Sequence, residues 1–406
     1  MNRLRKETRW WILLFAPLLF CAFSLRDLNL PTQVPTTSSY SSVDPIVEKA
    51  EEPGFVKFKI TASHARYETE GILPLVKLLH EIEIIERVER DEAGSGFMDG
   101  AVDSVMATGN GFKKLVTHPV DSIVGLGEAT GKLGRSVGGI FRQKSEAEKT
   151  SLDEKIFGSS KREIAKKFGV DVCSTNPNLQ QLLDNMARAR MGGKGATVIA
   201  KFLIPVAGLV SVTMTASGVN GAADQWVNDK NRGEIYRLNR EALSVYFSSQ
   251  EVEDFLNSPY YSPRESSYLR FYLEKLKDLE GFRQILKQAN EAKNLWEARK
   301  ILYEAQIAAQ AVPANPDFKK ITCTAEGLAL EDPKKIVLIA PFDYLDSSGG
   351  GDLLLKKALE LRNQSGKAIE IWNGGKISLS FSAQLQIQGM KTKDWLLLED
   401  TTASNP

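Results

Sequence analysis

Side chains able to do chemistry are sparse in this chain and seldom meet at a productive spacing. His64, His80 and His118 are the three histidines, none at ligand spacing from another and none beside a suggestive serine or cysteine. Zinc-protease helices, nucleophile elbows, P-loops and dinucleotide fingerprints are short fixed spacings, because one turn or one helix face must present the reacting groups together. The chain contains none of them. Of its three cysteines, Cys21 falls in an apolar N-terminal run. Cys173 and Cys323 remain, to form one bridge in an oxidising compartment or to stay as two buried thiols, and no cysteine pair has metal-ligand spacing.

Two places carry a definite chemical hypothesis. The run Asp346-Ser347-Ser348-Gly349-Gly350-Gly351-Asp352 lies between an apolar strand and a helix. There, glycine N–H groups can cradle an anion, or Asp346 and Ser348 can hold a divalent ion. Asp346, Ser348, Gly349 and Gly350 are therefore the candidate anion or metal loop. The run lacks the P-loop lysine and the dinucleotide spacing, so a flexible βα loop with Asp352 capping the helix is the simpler account. Asp99 and Asp103 share one helical face among glycines, which reads as the solvated side of that helix rather than a catalytic pair. No motif implies a cofactor or a resident metal.

A different kind of site is suggested by Gly94 to Phe141, where glycines recur while apolar residues still fall three or four apart. Pro119 divides this run into two helices, with Thr117 or His118 as the cap before a proline at the first helical position. Each helical glycine costs about 0.8–1.0 kcal/mol relative to alanine. Such helices need an apolar surface to fold on, which the rest of the protein, another copy of it or a lipid interface can supply. Val102, Val105, Phe112, Leu115, Val116, Val120 and Val124 are the candidate membrane contacts.

The N-terminus points to the membrane by another route. Arg3, Arg5, Lys6 and Arg9 precede an apolar run from Trp10 to Phe23. That arrangement suits a secretory signal and is short for a span of about 20 residues. Ala22 and Ser24 suit cleavage after Ser24, and an uncleaved anchor is the competing reading. Residues 25–53 are rich in proline, serine and threonine and read as a linker. A second apolar stretch, 202–223, carries no charge and is long enough to span, but Pro205, Gly208 and its serines and threonines favour a buried helix ending in a glycine turn.

Nucleic acid is not an expected partner. The formal net charge is +1, which gives no basic footprint. Residues 161–190 have the apolar pattern of a helix-turn-helix, but a helix from Pro177 to Met191, capped by Asn176, offers few cations before Arg188 and Arg190.

The elements that must position any site follow from periodicity. Phe55, Val56, Phe58 and Ile60 suggest a short strand, and Leu75, Leu78, Leu79, Ile82 and Ile85 the buried stripe of a helix over 73–90. From Gly233 to Ala311 the pattern is helical, with capping boxes at Ser248/Glu251 and Ser262/Glu265. Antiparallel hairpins are expected, their aromatic residues serving the core. Pro313 to Pro316 marks a boundary, after which the period shortens to two. Val337 to Ala340 reads as a strand and 352–362 as a helix. Ile377, Leu379, Phe381, Ala383, Leu385 and Ile387 alternate with polar residues, as in a half-exposed strand that Asn373-Gly374-Gly375 would hairpin onto Ala368–Trp372.

The sequence thus leads to a mainly helical α+β fold: a signal or anchor (1–24), a linker (25–53), a strand-helix and glycine-rich region (54–150), a helical region (151–312) and a small α+β unit (317–400). Apolar residues are 42% and charged residues 25%, enough to bury a real core. The functional expectation is an exported, envelope-associated interaction protein, not an enzyme, whose partners are a lipid membrane, another protein or itself. An enzyme using the Asp346 loop and a pore-forming effector inserting 202–223 are the alternatives.

Overall fold

The computed structural model describes residues 41–46, 54–63, 65–93, 152–191, 219–347, 350–394 and 396–397. It is a mostly helical α+β fold, with eleven helices among the described residues.

Three antiparallel strands open it, in the order β1 (Ser41–Ile46), β2 (Lys57–Ala62) and β3 (Arg66–Glu70). β1 lies inside the stretch that reads as a linker. Its composition hides it because the pairing comes from β2, with Ser41 opposite Ala62 and Ile46 opposite Lys57. As an edge strand, β1 tolerates Pro45, which has no N–H to donate. β2 shows the expected alternation, Phe58 and Ile60 buried between exposed Lys57, Lys59 and Thr61. Helix α1 (Ile72–Ala93) follows and buries Leu75, Leu79, Ile82 and Ile85, while Leu78 is half-buried.

α2 (Leu152–Phe168) and α3 (Pro177–Met191) pack against the far half of α1, where Ile84, Ile85 and Val88 meet Ile164, Leu179, Leu183 and Met186. α3 starts as its sequence dictates: Pro177 is the first helical residue and Asn176 Oδ1 accepts from the N–H of Asn178 at 3.1 Å. The helix-turn-helix pattern is therefore the apolar face of a helix pair spent on α1.

The helical region comprises α4 (Val219–Asn228), α5 (Arg232–Leu243), α6 (Ser249–Leu256), α7 (Pro263–Leu276), α8 (Arg283–Glu291) and α9 (Leu295–Ala314). Both expected capping boxes are present, and Asn231 with Glu234 forms a third. α9 is the central rod. Its small residues Ala305, Ala308 and Ala309 are fully buried and let α7 and the C-terminal sheet approach closely. Of the stretch 202–223, only the start of α4 lies within the described residues, and there Ala223 is buried in the core. No helix among the described residues is long and apolar enough to cross a membrane.

The C-terminal sheet has the order β10-β8-β6-β5-β4, from β4 (Lys320–Cys323), β5 (Leu328–Glu331), β6 (Lys335–Ala340), β8 (Ala368–Asn373) and β10 (Lys391–Lys393). β4, β5 and β6 are antiparallel, whereas β6, β8 and β10 are parallel. α10 (Gly350–Ser365) makes the crossover from β6 to β8, and β7 (Tyr344–Leu345) pairs with β9 (Lys376–Ile377) beside it. Phe55, ahead of β2, ties the regions together: its ring meets those of Trp296, Tyr303 and Phe342 edge-on at 5.9–6.0 Å.

The expected C-terminal hairpin is replaced by a parallel pairing and a helix. Ala368–Trp372 runs parallel to β6, and residues Leu379–Ile387 form α11. Ser378 caps that helix, its Oγ accepting from Phe381 N–H at 3.2 Å. Phe381 and Leu385, four residues apart, are fully buried, while Leu379 and Ile387 are 85% and 83% exposed. An alternation of period two also sets residues four apart, so one such pair, Phe381 with Leu385, can serve as the buried face of a helix, and the cap decides which period is used. The glycines serve close approach rather than a hairpin turn, since a Cβ on Gly375 would stand 2.2 Å from the Asp343 carbonyl oxygen.

Candidate functional site

A cleft of about 790 Å³ opens between β2–β3, α1, the loop from Asp171 to Pro177, the start of α7 and one face of α9. Helical spacing brings its α9 wall together. Arg299, Leu302, Tyr303 and Gln306 recur at intervals of three and four and share one side of the helix. α1 contributes Leu73, Lys77 and Glu81 at successive turns, and α7 contributes Arg264, Glu265 and Tyr268 just after its cap.

The floor is a chain of charges, buried at Asp171, Arg264 and Asp224 and partly exposed at Lys77. Lys77 Nζ donates to Asp171 Oδ2 at 2.7 Å. Arg264 Nε lies 2.8 Å from Asp171 Oδ1 in an ion pair off the hydrogen-bond axis. The same guanidinium donates to Asp224 and Asn228, and the Tyr268 hydroxyl donates to Asp224. Burial of such groups is offset only when every member is paired, which holds the two aspartates and the arginine as a unit. Burial works against the charge on Asp171, but Arg264 and Lys77 override it and keep its carboxyl far below the usual range. Asp224 goes the other way, because burial outweighs its pull from Arg264. Burial likewise raises Glu81, against the attraction of Lys77.

Cys173 lines this cleft, and its thiol is pushed up to about 11 by burial and by the neighbouring Asp171. A cysteine in that setting is neutral and unreactive at physiological pH, since the thiolate is the nucleophile. Cys173 and Cys323 are both free, so they do not bridge.

Two side chains on the α9 wall stand apart. Tyr303 and Gln306 are 8% and 5% exposed, and their hydroxyl and amide, which have no hydrogen-bond partner among the described residues, reach the cleft beside Arg299 Nε, which is buried without one. Buried polar groups are almost always satisfied. Here they face a cavity large enough to bring in a partner from outside.

The residues singled out from the sequence lie elsewhere. Val102, Val105, Phe112, Leu115, Val116, Val120 and Val124, with Asp99 and Asp103, fall outside the described residues, as do Ser348 and Gly349. Asp346 follows β7 and Gly350 begins α10, where it is buried. A Cβ on Gly351 would come within 1.6 Å of the Asp346 carbonyl oxygen. The described part of the loop thus closes tightly on the helix, with Gly351 serving a close backbone contact. His80 Nε2 is 3.0 Å from the Phe168 carbonyl oxygen, tying α1 to the end of α2. Among the described residues no group of three or more histidines, cysteines and carboxylates is placed to hold a metal ion. Arg264, Asp171, Tyr303 and Gln306 escape the sequence reading, although a polar Arg299–Tyr303–Gln306 row beside an apolar stripe is a signal that could have found part of the cleft.

No protein-family description, curated protein or solved structure matches this chain.

Proposed function

We propose that this protein is an exported binding protein that holds a small polar organic ligand in the cleft between α9, α7 and α1. The observation that carries this reading is a pair of largely buried side chains on α9, Tyr303 and Gln306, whose hydroxyl and amide have no hydrogen-bond partner among the described residues and line a cavity of about 790 Å³ beside the buried, unpartnered Arg299 Nε. That volume is in the range of small-molecule sites, roughly 300–1,000 Å³, and a few convergent polar groups in an otherwise packed wall are their usual composition. Binding is favoured over catalysis because the Cys173 thiol is held neutral and Asp171 is committed to Arg264 and Lys77. The place of action rests on the basic and apolar N-terminal run, and the glycine-rich sequence from Gly94 to Phe141, with apolar residues three or four apart, supports a lipid contact in the same chain.

A fragment set screened against the purified protein by ligand-observed NMR tests the cleft. Fragments that bind the native protein and are lost in Tyr303→Phe combined with Gln306→Leu support the reading, provided the variant keeps its melting temperature. Fragments that bind the variant equally well remove it. Flotation with liposomes at low and high salt checks the lipid contact, which is rejected if the protein stays at the bottom of the gradient.

A further inference from the structure

We infer that the ligand of this cleft is a small zwitterion of the amino-acid class, its carboxylate received by Arg299 and its ammonium by Glu265. The inference rests on the cleft being a binding site and adds the chemistry of what it binds.

Several of the charges that line the cleft are already paired. Lys77 and Arg264 are neutralised by Asp171 and Asp224. At the rim, Lys59 pairs with Glu68 at 3.9 Å. Two lining charges on α7 and α9 lack that compensation. Arg299 gives one Nη1 donor to the Glu70 carbonyl oxygen at 2.9 Å, and no carboxylate among the described residues lies within ion-pair distance of it. Glu265 uses one oxygen, Oε2, to accept from the Ser262 N–H at 2.8 Å in the capping box, and no cation among the described residues pairs with it. These two opposite charges stand on neighbouring, packed helices.

Tyr303 stands one turn along α9 from Arg299 and lines the same cleft as Arg299 and Glu265, and those two charges and Asp343 all act on its hydroxyl. Gln306, one turn further along α9, offers both a donor and an acceptor. A guanidinium, a carboxylate and two neutral hydrogen-bonding groups around one cavity match a molecule that carries a carboxylate and an ammonium a few bonds apart. A simple acid would leave Glu265 facing the ligand without a counter-charge, and a simple amine would leave Arg299 so. Leu73, Leu78 and Leu302 line the remaining wall and suit an apolar side chain.

L-leucine separates these alternatives when compared with 4-methylpentanoate, which lacks its amine, and 3-methylbutylamine, which lacks its carboxylate. Calorimetric titration of the full-length protein is expected to show leucine binding at least tenfold more tightly than either analogue. Arg299→Gln should abolish the advantage over the amine and Glu265→Gln the advantage over the acid. Glutamine at 265 can still close the capping box, so that variant keeps the start of α7 intact. If Arg299→Gln fails to fold, Arg299→Lys keeps the charge without the planar fork, and the leucine-to-acid ratio is read in Glu265→Gln alone. Equal binding of leucine and one single-charge analogue overturns the zwitterion, and so does absence of leucine binding. If fragments still dock in a Tyr303- and Gln306-dependent way, the cleft survives and only its assigned ligand falls.

Discussion

Asp343 allows a sharp test of how burial and hydrogen bonding compete in this fold. It follows β6, and its carboxylate reaches back across the chain, Oδ2 accepting from the Val56 N–H at 2.8 Å and Oδ1 from the Ile72 N–H at 3.0 Å. Its own N–H donates to the Gly54 carbonyl oxygen at 2.8 Å. The N-terminal sheet and α1 are thereby clamped to the C-terminal unit through one buried side chain. Burial pushes its pKa up, the two N–H donors and Arg299 pull it down, Glu70 adds to the rise, and the balance is about 7 against an ordinary 3.8. A folded-state value above the unfolded one means that the native protein keeps a proton which the unfolded chain has released. The stabilisation from Asp343 is then complete below about pH 4 and is lost as the pH rises to about 7. At about 1.4 kcal/mol per pH unit, the loss amounts to about 4 kcal/mol. Asp343→Asn cannot titrate, and it leaves one of the two N–H groups without an acceptor, at a cost of about 1–3 kcal/mol. Urea unfolding between pH 4.5 and 8 should show the native protein more stable than the variant at the acid end, with the two curves crossing before pH 8. Glu304, pushed up to about 7 chiefly by burial, slopes both curves in the same direction and cancels in their difference. A difference that stays constant across this range would show that the two N–H donors outweigh burial and that Asp343 is an ordinary ionised carboxylate, refuting the reasoning.

Two further perturbations test the charge chain and the C-terminal helix. Arg264→Met leaves Asp224 buried without its counter-charge, while Asp171 keeps Lys77, and should cost about 3–5 kcal/mol in urea unfolding, much of it recovered when Asp224 is also changed to asparagine; an effect below 1 kcal/mol would mean that the network is hydrated rather than buried. In α11, Leu379→Gln with Ile387→Gln should change stability by less than about 0.5 kcal/mol, whereas Phe381→Ala should cost about 3–5 kcal/mol; comparable losses from both would place these residues on the single dry face of a strand.

How much of this was legible in the sequence depended on whether the signal was local. The caps at Ser248, Ser262 and Asn176 lie within three residues of what they satisfy, and the structure has helices beginning at each of them. The buried stripe of α1 and the all-buried run of β6 are likewise properties of a short window. α11 shows the limit of that approach. Its sequence fits a period of two better than one of 3.6, and the choice is made by the Ser378 cap and by the pocket that Phe381 and Leu385 fill. β1 fails for a related reason, since an edge strand with a proline carries little pattern of its own and is defined by the neighbour it joins.

The cleft was hidden because its parts mean something ordinary in isolation. Ser262-Pro263-Arg264-Glu265 is a helix start, and only the return of α4 with Asp224 and of the 171–177 loop with Asp171 turns Arg264 into the centre of a charge chain. Arg299 is one cation among many on a helix surface until the β3–α1 turn lays the Glu70 carbonyl against it. That same turn, two residues on, gives the Ile72 N–H to Asp343. The clamp that joins the N-terminal sheet to the C-terminal unit and the guanidinium assigned to the ligand's carboxylate therefore grip one short segment, two residues apart. This explains why Glu70 and Arg299 belong both to the electrostatics of Asp343 and to the wall of the cleft. A site assembled in this way has no motif to find: its specificity lies in which charges the fold leaves uncompensated, and that is decided by contacts more than two hundred residues apart.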